Sequence, residues 1–236
     1  MRYGKIVQGI LERKANRFIA EVYINGVKEQ VHIKNTGRLK ELLQPGAEVL
    51  LELSDNPKRK TRYSLISVVN NGNLVNIDSQ APNAVAFEAL KAGKLEEFGF
   101  VLKAKREVTY GDSRFDLYFE KEAEKGFIEV KGVTLVNNGA ALFPDAPTSR
   151  GTKHVLELAR AVQEGYSCAI LFVVQMKGCR VFAPFREMDF AFADALLHAY
   201  QKGVQILAYD SIVSEDELVL NQPVPVDLEG KQLNRD

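Results

Sequence analysis

The chain has 236 residues, and its 31 Lys and Arg are balanced by 31 Asp and Glu, so the formal net charge is zero. On net charge alone, no preference for nucleic acid, membrane or an acidic substrate is expected. A hydrophobic fraction of 46% beside 26% charged residues excludes a disordered chain, and the longest apolar run, residues 168–174, is too short to span a bilayer. Cys168 and Cys179 are the only cysteines and form no CxxC pair, which excludes a disulfide framework and a zinc cage. The opening MRYGKIVQGIL carries no apolar signal core. A cytoplasmic protein with no membrane partner is expected, of one large or two small domains. The zero is also a sum of unlike halves. Residues 1–80 hold 13 Lys/Arg and 8 Asp/Glu, whereas 81–236 hold 18 and 23.

The first 80 residues read as β-structure. Residues 4–11 form a first strand; in 16–24, Phe18, Ala20, Val22 and Ile24 alternate with polar neighbours. Asn25-Gly26 supplies the positive φ angles of a tight hairpin turn, and 27–34 returns. Residues 36–43 are helical in pattern and stop at Pro45-Gly46. Two further strands, 47–53 and 63–69, flank the polar turn 54–62. Five strands with a helix between the third and fourth predict an OB-like β-barrel over 1–78, closed by an Asn/Gly-rich linker at 70–76.

From Pro82 the pattern changes. A helix over 83–97 is followed by strands 101–110, 114–119 and 127–133, then, after a loop, by a helix over 152–164. The almost wholly apolar strand 169–175 reads as a buried central one, and a helix over 186–202 leads to strand 205–209. This order predicts a mixed-sheet α/β domain over 79–221 and a polar tail over 222–236.

The chemistry-bearing stretch is GDSRFDLYFEKEAEKGFIEVKG, residues 111–132. Glu129 and Lys131, two apart on a strand, share a face. If 121–124 is a four-residue hairpin loop, facing residue numbers sum to 245, which sets Asp116 against Glu129 and Arg114 against Lys131. Like charges directly opposed are destabilising unless a cation lies between them. Two carboxylates among apolar neighbours are suitable hard ligands for Mg²⁺ or Mn²⁺, which keeps waters and accepts substrate phosphate. A nearby lysine could hold the attacking water and offset transition-state charge. The plain alternative is two ion pairs, Arg114–Asp116 and Glu129–Lys131, on a solvated face.

The segments VTYGDSRFD (108–116), IEVKGVTL (128–135), FPDAPTSRGTKHVLEL (143–158) and GVQILAY (203–209), with NTGRL (35–39) and DNPKRK (55–60), resemble the sugar fermentation stimulation protein A family over nearly the whole chain. The resemblance implies an N-terminal OB-like domain and a C-terminal domain related to the PD-(D/E)xK nucleases. It further implies sequence-nonspecific DNA binding and a regulatory part in sugar, especially maltose, metabolism, with the nucleoid as a further location. Carried over residue by residue, the nuclease motif falls on Asp116, Glu129 and Lys131. An acid on the helix before the first core strand would fall on Glu88, as a further metal and catalytic candidate. Glu88 is equally read as a solvated helix residue, and Asp145 in FPDAPT is open in the same way.

Groups for holding DNA fall in two places. In the barrel, Lys34 and Arg38 flank the NTG turn, and Lys58, Arg59, Lys60 and Arg62 form the densest basic run, beside Tyr63, which could stack on a base. In the second domain, Ser149 or Thr152 would cap a helix whose start carries Arg150, Lys153 and His154, a candidate phosphate site. Gln175 at the end of the buried strand could bind a water or a base, or simply end the strand. Three functions are therefore carried forward: a nonspecific DNA-binding protein with nuclease architecture, an active Mg²⁺-dependent DNA nuclease, and a sugar-phosphate sensor.

Overall fold

The computed structural model describes residues 1–35 and 37–231. The N-terminal strands are β1 (Ile6–Lys14), β2 (Ile19–Ile24), β3 (Val27–Ile33), β4 (Glu48–Leu53), β5 (Tyr63–Asn70) and β6 (Asn73–Asn76). Their order, β3-β2-β1-β4-β5-β6 with an additional β3–β5 pairing, closes the five-strand OB-like barrel expected from the sequence. Asn25 and Gly26 take φ of 50° and 80°, as the predicted turn requires. The helix expected over 36–43 is corrected. Its described residues make only one turn, closed by the amides of Leu42 and Leu43 on the carbonyl of Leu39, because Leu39 itself has φ of 49°. The linker expected at 70–76 is also corrected: Asn71 and Gly72, again at positive φ, turn β5 back into β6.

The second unit comprises α1 (Ala81–Lys91), β7 (Lys103–Tyr110), β8 (Ser113–Glu120), β9 (Lys125–Val133), β10 (Leu135–Asn137), β11 (Ala140–Phe143), α2 (Ser149–Gln163), β12 (Ser167–Val174), β13 (Val181–Pro184), α3 (Phe190–Gln201), β14 (Gln205–Val213) and β15 (Leu218–Pro223). Its main sheet runs β15-β14-β12-β9-β8-β7, with β9, β12 and β14 parallel and both edges antiparallel. β12 is central and buried on both faces, which explains its unbroken apolar sequence. α1 packs on one face, among Ile128, Val130, Leu171 and Val173. α2 and α3 cover the other, among Phe127, Ile170 and Phe172.

Three short strands, β10, β11 and β13, form a side sheet; β10 and β11 fall where only a loop was expected after β9, and β13 lies between β12 and α3. Strand β15 was likewise missed, and it runs into the tail expected from residue 222. Beyond it, Val224 is buried and Val226 bridges to Phe182, so this part of the tail is packed. Residues 232–236 lie outside the described residues. Among the described residues, no helix is long and apolar enough to cross a membrane.

The two units share one continuous core, which runs from Leu65 and Ile77 of the first to Val133 and Val174 of the second. At the seam, the Asn76 amide donates to the Gln175 carbonyl, and the buried Gln175 side chain donates from Nε2 to Asn76 Oδ1 (2.8 Å) and to the Asp78 carbonyl (3.1 Å). Gln175 is thus a fastening between the domains, with its amide N–H already committed.

Candidate metal and nucleic-acid site

The β8–β9 hairpin has the register expected of a four-residue loop: Leu117 faces Ile128, Tyr118 faces Phe127 and Phe119 faces Gly126. The ladder stops at Leu117. Phe115 packs with Phe127 and His154 on the α2 side, whereas Leu117, two residues on, packs on the α1 side. Residues two apart on a regular strand share a face, so β8 turns over at Asp116. Strand β7 shows the same irregularity, pairing Arg106 with Leu117 and Val108 with Phe115 while Glu107 adopts φ of 55°. The kink frees the Asp116 carboxylate to act as a ladder acceptor. Its Oδ2 takes the Val130 amide at 2.8 Å, and its Oδ1 takes Asn83 Nδ2 at 2.7 Å.

Glu129 lies one residue before that amide and is 2% exposed. Its Oε1 accepts from Lys131 Nζ at 2.6 Å and lies 2.5 Å from His154 Nδ1, which must carry the proton because an ionised carboxylate can only accept. Its Oε2 is buried with no hydrogen-bond partner. Burial pushes the Glu129 carboxyl up, but the His154 and Lys131 donors outweigh it and hold the group below the usual range. Asp116 is shifted the other way, raised first by burial and then by the Glu129 charge, with its two hydrogen bonds and Lys131 opposing. Two carboxylates meet in a desolvated place, and one oxygen is left unsatisfied.

Among the described residues, no three His, Cys, Asp or Glu side chains converge to hold a metal ion. The donor set is the two carboxylates, Asp116 and Glu129. Mg²⁺ is bound through one or two carboxylates, the remainder being water and phosphate. The orphaned Glu129 oxygen and the repelled Asp116 carboxylate fit that demand.

Asp116, Glu129 and Lys131 are brought together. Of the plain alternative, the Glu129–Lys131 pair forms at 2.6 Å, but around a buried carboxylate rather than on a solvated face. The Arg114–Asp116 pair does not form among the described residues. Arg114 is exposed and lies 3.6 Å from Glu107 rather than against Lys131 or Asp116. Glu88 is not brought to the cluster. It is exposed and salt-bridged to the Met1 ammonium at 2.6 Å, because five residues of helix turn it about 140° away from Asn83. Asn83 takes the place by Asp116 instead. His154 is corrected as a phosphate contact: it is buried, one turn into α2, and holds Glu129. The cap of α2 is Thr148, accepting from Gly151 N, rather than Ser149 or Thr152. Arg150 is exposed at the helix start, and Lys153 donates to the Asp112 carbonyl.

The basic residues of the barrel divide. Lys34 is corrected as a DNA contact, since its Nζ sits between Glu52 Oε2 (3.1 Å) and Asp78 Oδ2 (3.3 Å). Tyr63 is corrected as a stacking platform: it is buried in the barrel with the Arg62 guanidinium over its ring. Arg38, Lys58, Lys60 and Arg62 are exposed, while Arg59 is half-buried and donates to Ser64 Oγ. Asp145 lies across the seam from the barrel, its Oδ2 accepting the Arg38 amide at 3.1 Å.

The "SfsA N-terminal OB domain" model matches residues 11–77, and the "Sugar fermentation stimulation protein RE domain" model matches residues 80–217. The chain belongs to the sugar fermentation stimulation protein family. Homologues of that protein in Alkaliphilus oremlandii and Ruminiclostridium cellulolyticum are 55% and 48% identical to it, covering 96% and 97% of this chain and 99% and 100% of theirs. One from Clostridium novyi is 44% identical over 96% of this chain and 99% of its own. A solved family structure, described as Pyrococcus furiosus SfsA in complex with Ca²⁺, superposes with a TM-score of 0.85 at 28% identity, over 96% of this chain and 98% of that one.

Proposed function

We propose that this family member is a sequence-nonspecific DNA-binding protein that carries a divalent-cation site at Asp116 and Glu129. The observation that carries the reading is the orphaned, buried Oε2 of Glu129 beside a second carboxylate whose charge is disfavoured. The Ca²⁺ named in the description of the Pyrococcus furiosus relative supports a cation in this family. Mg²⁺ or Mn²⁺ is the cation proposed for this chain. Lys58, Lys60 and Arg62 present an exposed basic surface on an OB-like barrel, which suits phosphate contacts that give affinity without sequence preference. A part in regulating sugar metabolism, maltose use included, is carried by family membership rather than by the site. A cytoplasmic or nucleoid location follows from the same reading.

A second reading, phosphodiester hydrolysis, is favoured by Lys131. When bound, a divalent cation would supply Lewis-acid polarisation of a phosphodiester. His154 positions Glu129 through Nδ1–H, and Asn83 with the Val130 amide positions Asp116. The Lys131 ammonium, 18% exposed at the rim, can orient an attacking water and offset charge that grows on the phosphoryl oxygens.

The test incubates the purified protein with end-labelled single- and double-stranded DNA in Mg²⁺ or Mn²⁺, then in EDTA. Metal-dependent cleavage that is lost in Glu129→Ala and Lys131→Ala supports the enzyme. Binding without cleavage leaves the DNA-binding reading alone. No binding of either DNA overturns both.

A further inference from the structure

Between the barrel and the second domain lies a cleft of about 480 Å³. It is of the size that takes a small molecule and far too small for a duplex. We propose that it receives one unpaired nucleotide of a DNA strand, so that the preferred partner is DNA with a single-stranded end rather than a blunt duplex. The inference rests on the DNA reading above and names the form of DNA.

Charge points to a nucleotide. Among the described residues, the charged side chains lining the cleft are Arg17, Arg38 and Asp145. Asp145 already accepts the Arg38 amide, while neither guanidinium has a carboxylate partner among the described residues. Both α1 and α2 begin here. Ser79, just ahead of α1, and Thr148, the cap of α2, line the wall, and the α1 cap position makes no side-chain bond to its helix amides. Asp78 and Asp189 already accept the Gln80 and Thr148 amides at these helix starts, so the positive potential offered to a phosphate comes from the two arginines.

The walls suit a base held without being read. Leu142 and Phe143 give an apolar side. The amide donors that could read a base edge are engaged: Asn35 Nδ2 bonds the Ile77 carbonyl, its Oδ1 takes the Gly37 amide, and Gln175 Nε2 bonds Asn76 and Asp78. The cleft also starts at Gly132, the residue after Lys131. A Cβ there would lie 2.5 Å from Gln175 Oε1 and 2.8 Å from the Pro82 ring, so only glycine passes. A base seated in the cleft therefore leaves its adjoining phosphodiester beside the Asp116–Glu129–Lys131 cluster.

Three fluorescein-labelled DNAs test this by anisotropy with the full chain in EDTA: oligo-dT, a duplex with a short overhang, and the same duplex blunt. Oligo-dT and the overhang are expected to bind about tenfold tighter than the blunt duplex. Arg17→Glu, an exposed change, and Thr134→Trp, which fills the cleft, are each expected to remove that preference while blunt-duplex affinity stays. Circular dichroism checks the fold of both. Equal affinity of the wild type for overhang and blunt DNA overturns the inference and leaves DNA binding standing. So does a preference that survives Arg17→Glu. Failure to bind any of the three overturns this inference together with the DNA reading.

Discussion

Two clusters in this molecule are built from the same parts, two carboxylates and a lysine, and they end in opposite states. In the barrel, Lys34 sits between Glu52 and Asp78 and bridges both. In the second domain, Lys131 leans on Glu129 alone, His154 joins it on the same oxygen, and the other Glu129 oxygen is left buried without a partner. The first cluster is electrostatically complete. In the second, burial first and the Glu129 charge next raise the Asp116 carboxyl, with Lys131 and two hydrogen bonds opposing. A basic residue beside acids is therefore a fastening in one place and part of an unfinished site in the other, and the difference is whether any buried oxygen remains unsatisfied.

The largest test of that contrast exchanges the lysines' roles. If the second reading holds, Lys131→Met is expected to lower metal-dependent cleavage by about 10²- to 10³-fold, the cost of removing one group that meets transition-state charge. It also lowers the thermal midpoint, because the buried Glu129 loses one of its two donors. Next comes the cation itself. Ca²⁺ at about 100 times its dissociation constant should stabilise the folded protein by about 2.7 kcal/mol, read as a rise in thermal midpoint that Asp116→Asn abolishes. The rise should shrink as the pH is lowered, and from a higher pH than an ordinary carboxyl would give, because the raised Asp116 takes a proton that competes with the cation. In the cation-free protein the two acids pull oppositely. The raised Asp116 adds stability at low pH that is lost as pH rises through its folded value, whereas the lowered Glu129 adds stability at high pH that is lost as pH falls. A Ca²⁺ response that is flat in pH, or that survives Asp116→Asn, would place the cation elsewhere.

Lys34→Met sharpens the other side. It leaves Glu52 and the buried Asp78 without their cation, at a cost of about 1–3 kcal/mol, while cleavage and DNA affinity of the folded protein should hold. Loss of DNA binding without loss of stability would return Lys34 to the DNA surface.

Much of this was legible in the sequence, for local reasons. The barrel strands alternate, the Asn-Gly turn demands positive φ, and an even hairpin loop fixes a register in which residue numbers sum to 245. The partnership of Asp116 with Glu129 followed from that register, but its geometry did not. A straight ladder would oppose the two directly, whereas the strand turns over at Asp116 and Glu107 takes a left-handed conformation. Nothing in the composition of either residue signals this. At Glu88 the solvated reading held over the one the resemblance implied, since the face of α1 that meets β8 carries Asn83. His154 was visible as a charge-bearing residue at a helix start, but its burial against Glu129 depends on how α2 docks over the sheet, a contact between residues 25 apart. Tyr63 failed for a similar reason: the start of β5 is buried almost throughout, so its place beside a basic run did not mean exposure.

The smallest expected effect concerns that basic run, and it separates two kinds of barrel cation. Lys58 and Lys60 are exposed, whereas Arg59 between them is tied to Ser64 Oγ. If Lys58 and Lys60 each neutralise one phosphate, replacing either by Ala should flatten the plot of log affinity against log salt by about 0.9 on duplex DNA. Replacing both should flatten it by about twice that, with no change in thermal midpoint. Lys34→Met, by contrast, should leave the slope untouched, because that ammonium is already matched by two carboxylates and releases no counterion on binding. An unchanged slope in the double variant would move the duplex-binding surface off the barrel loop and toward Arg150 at the start of α2.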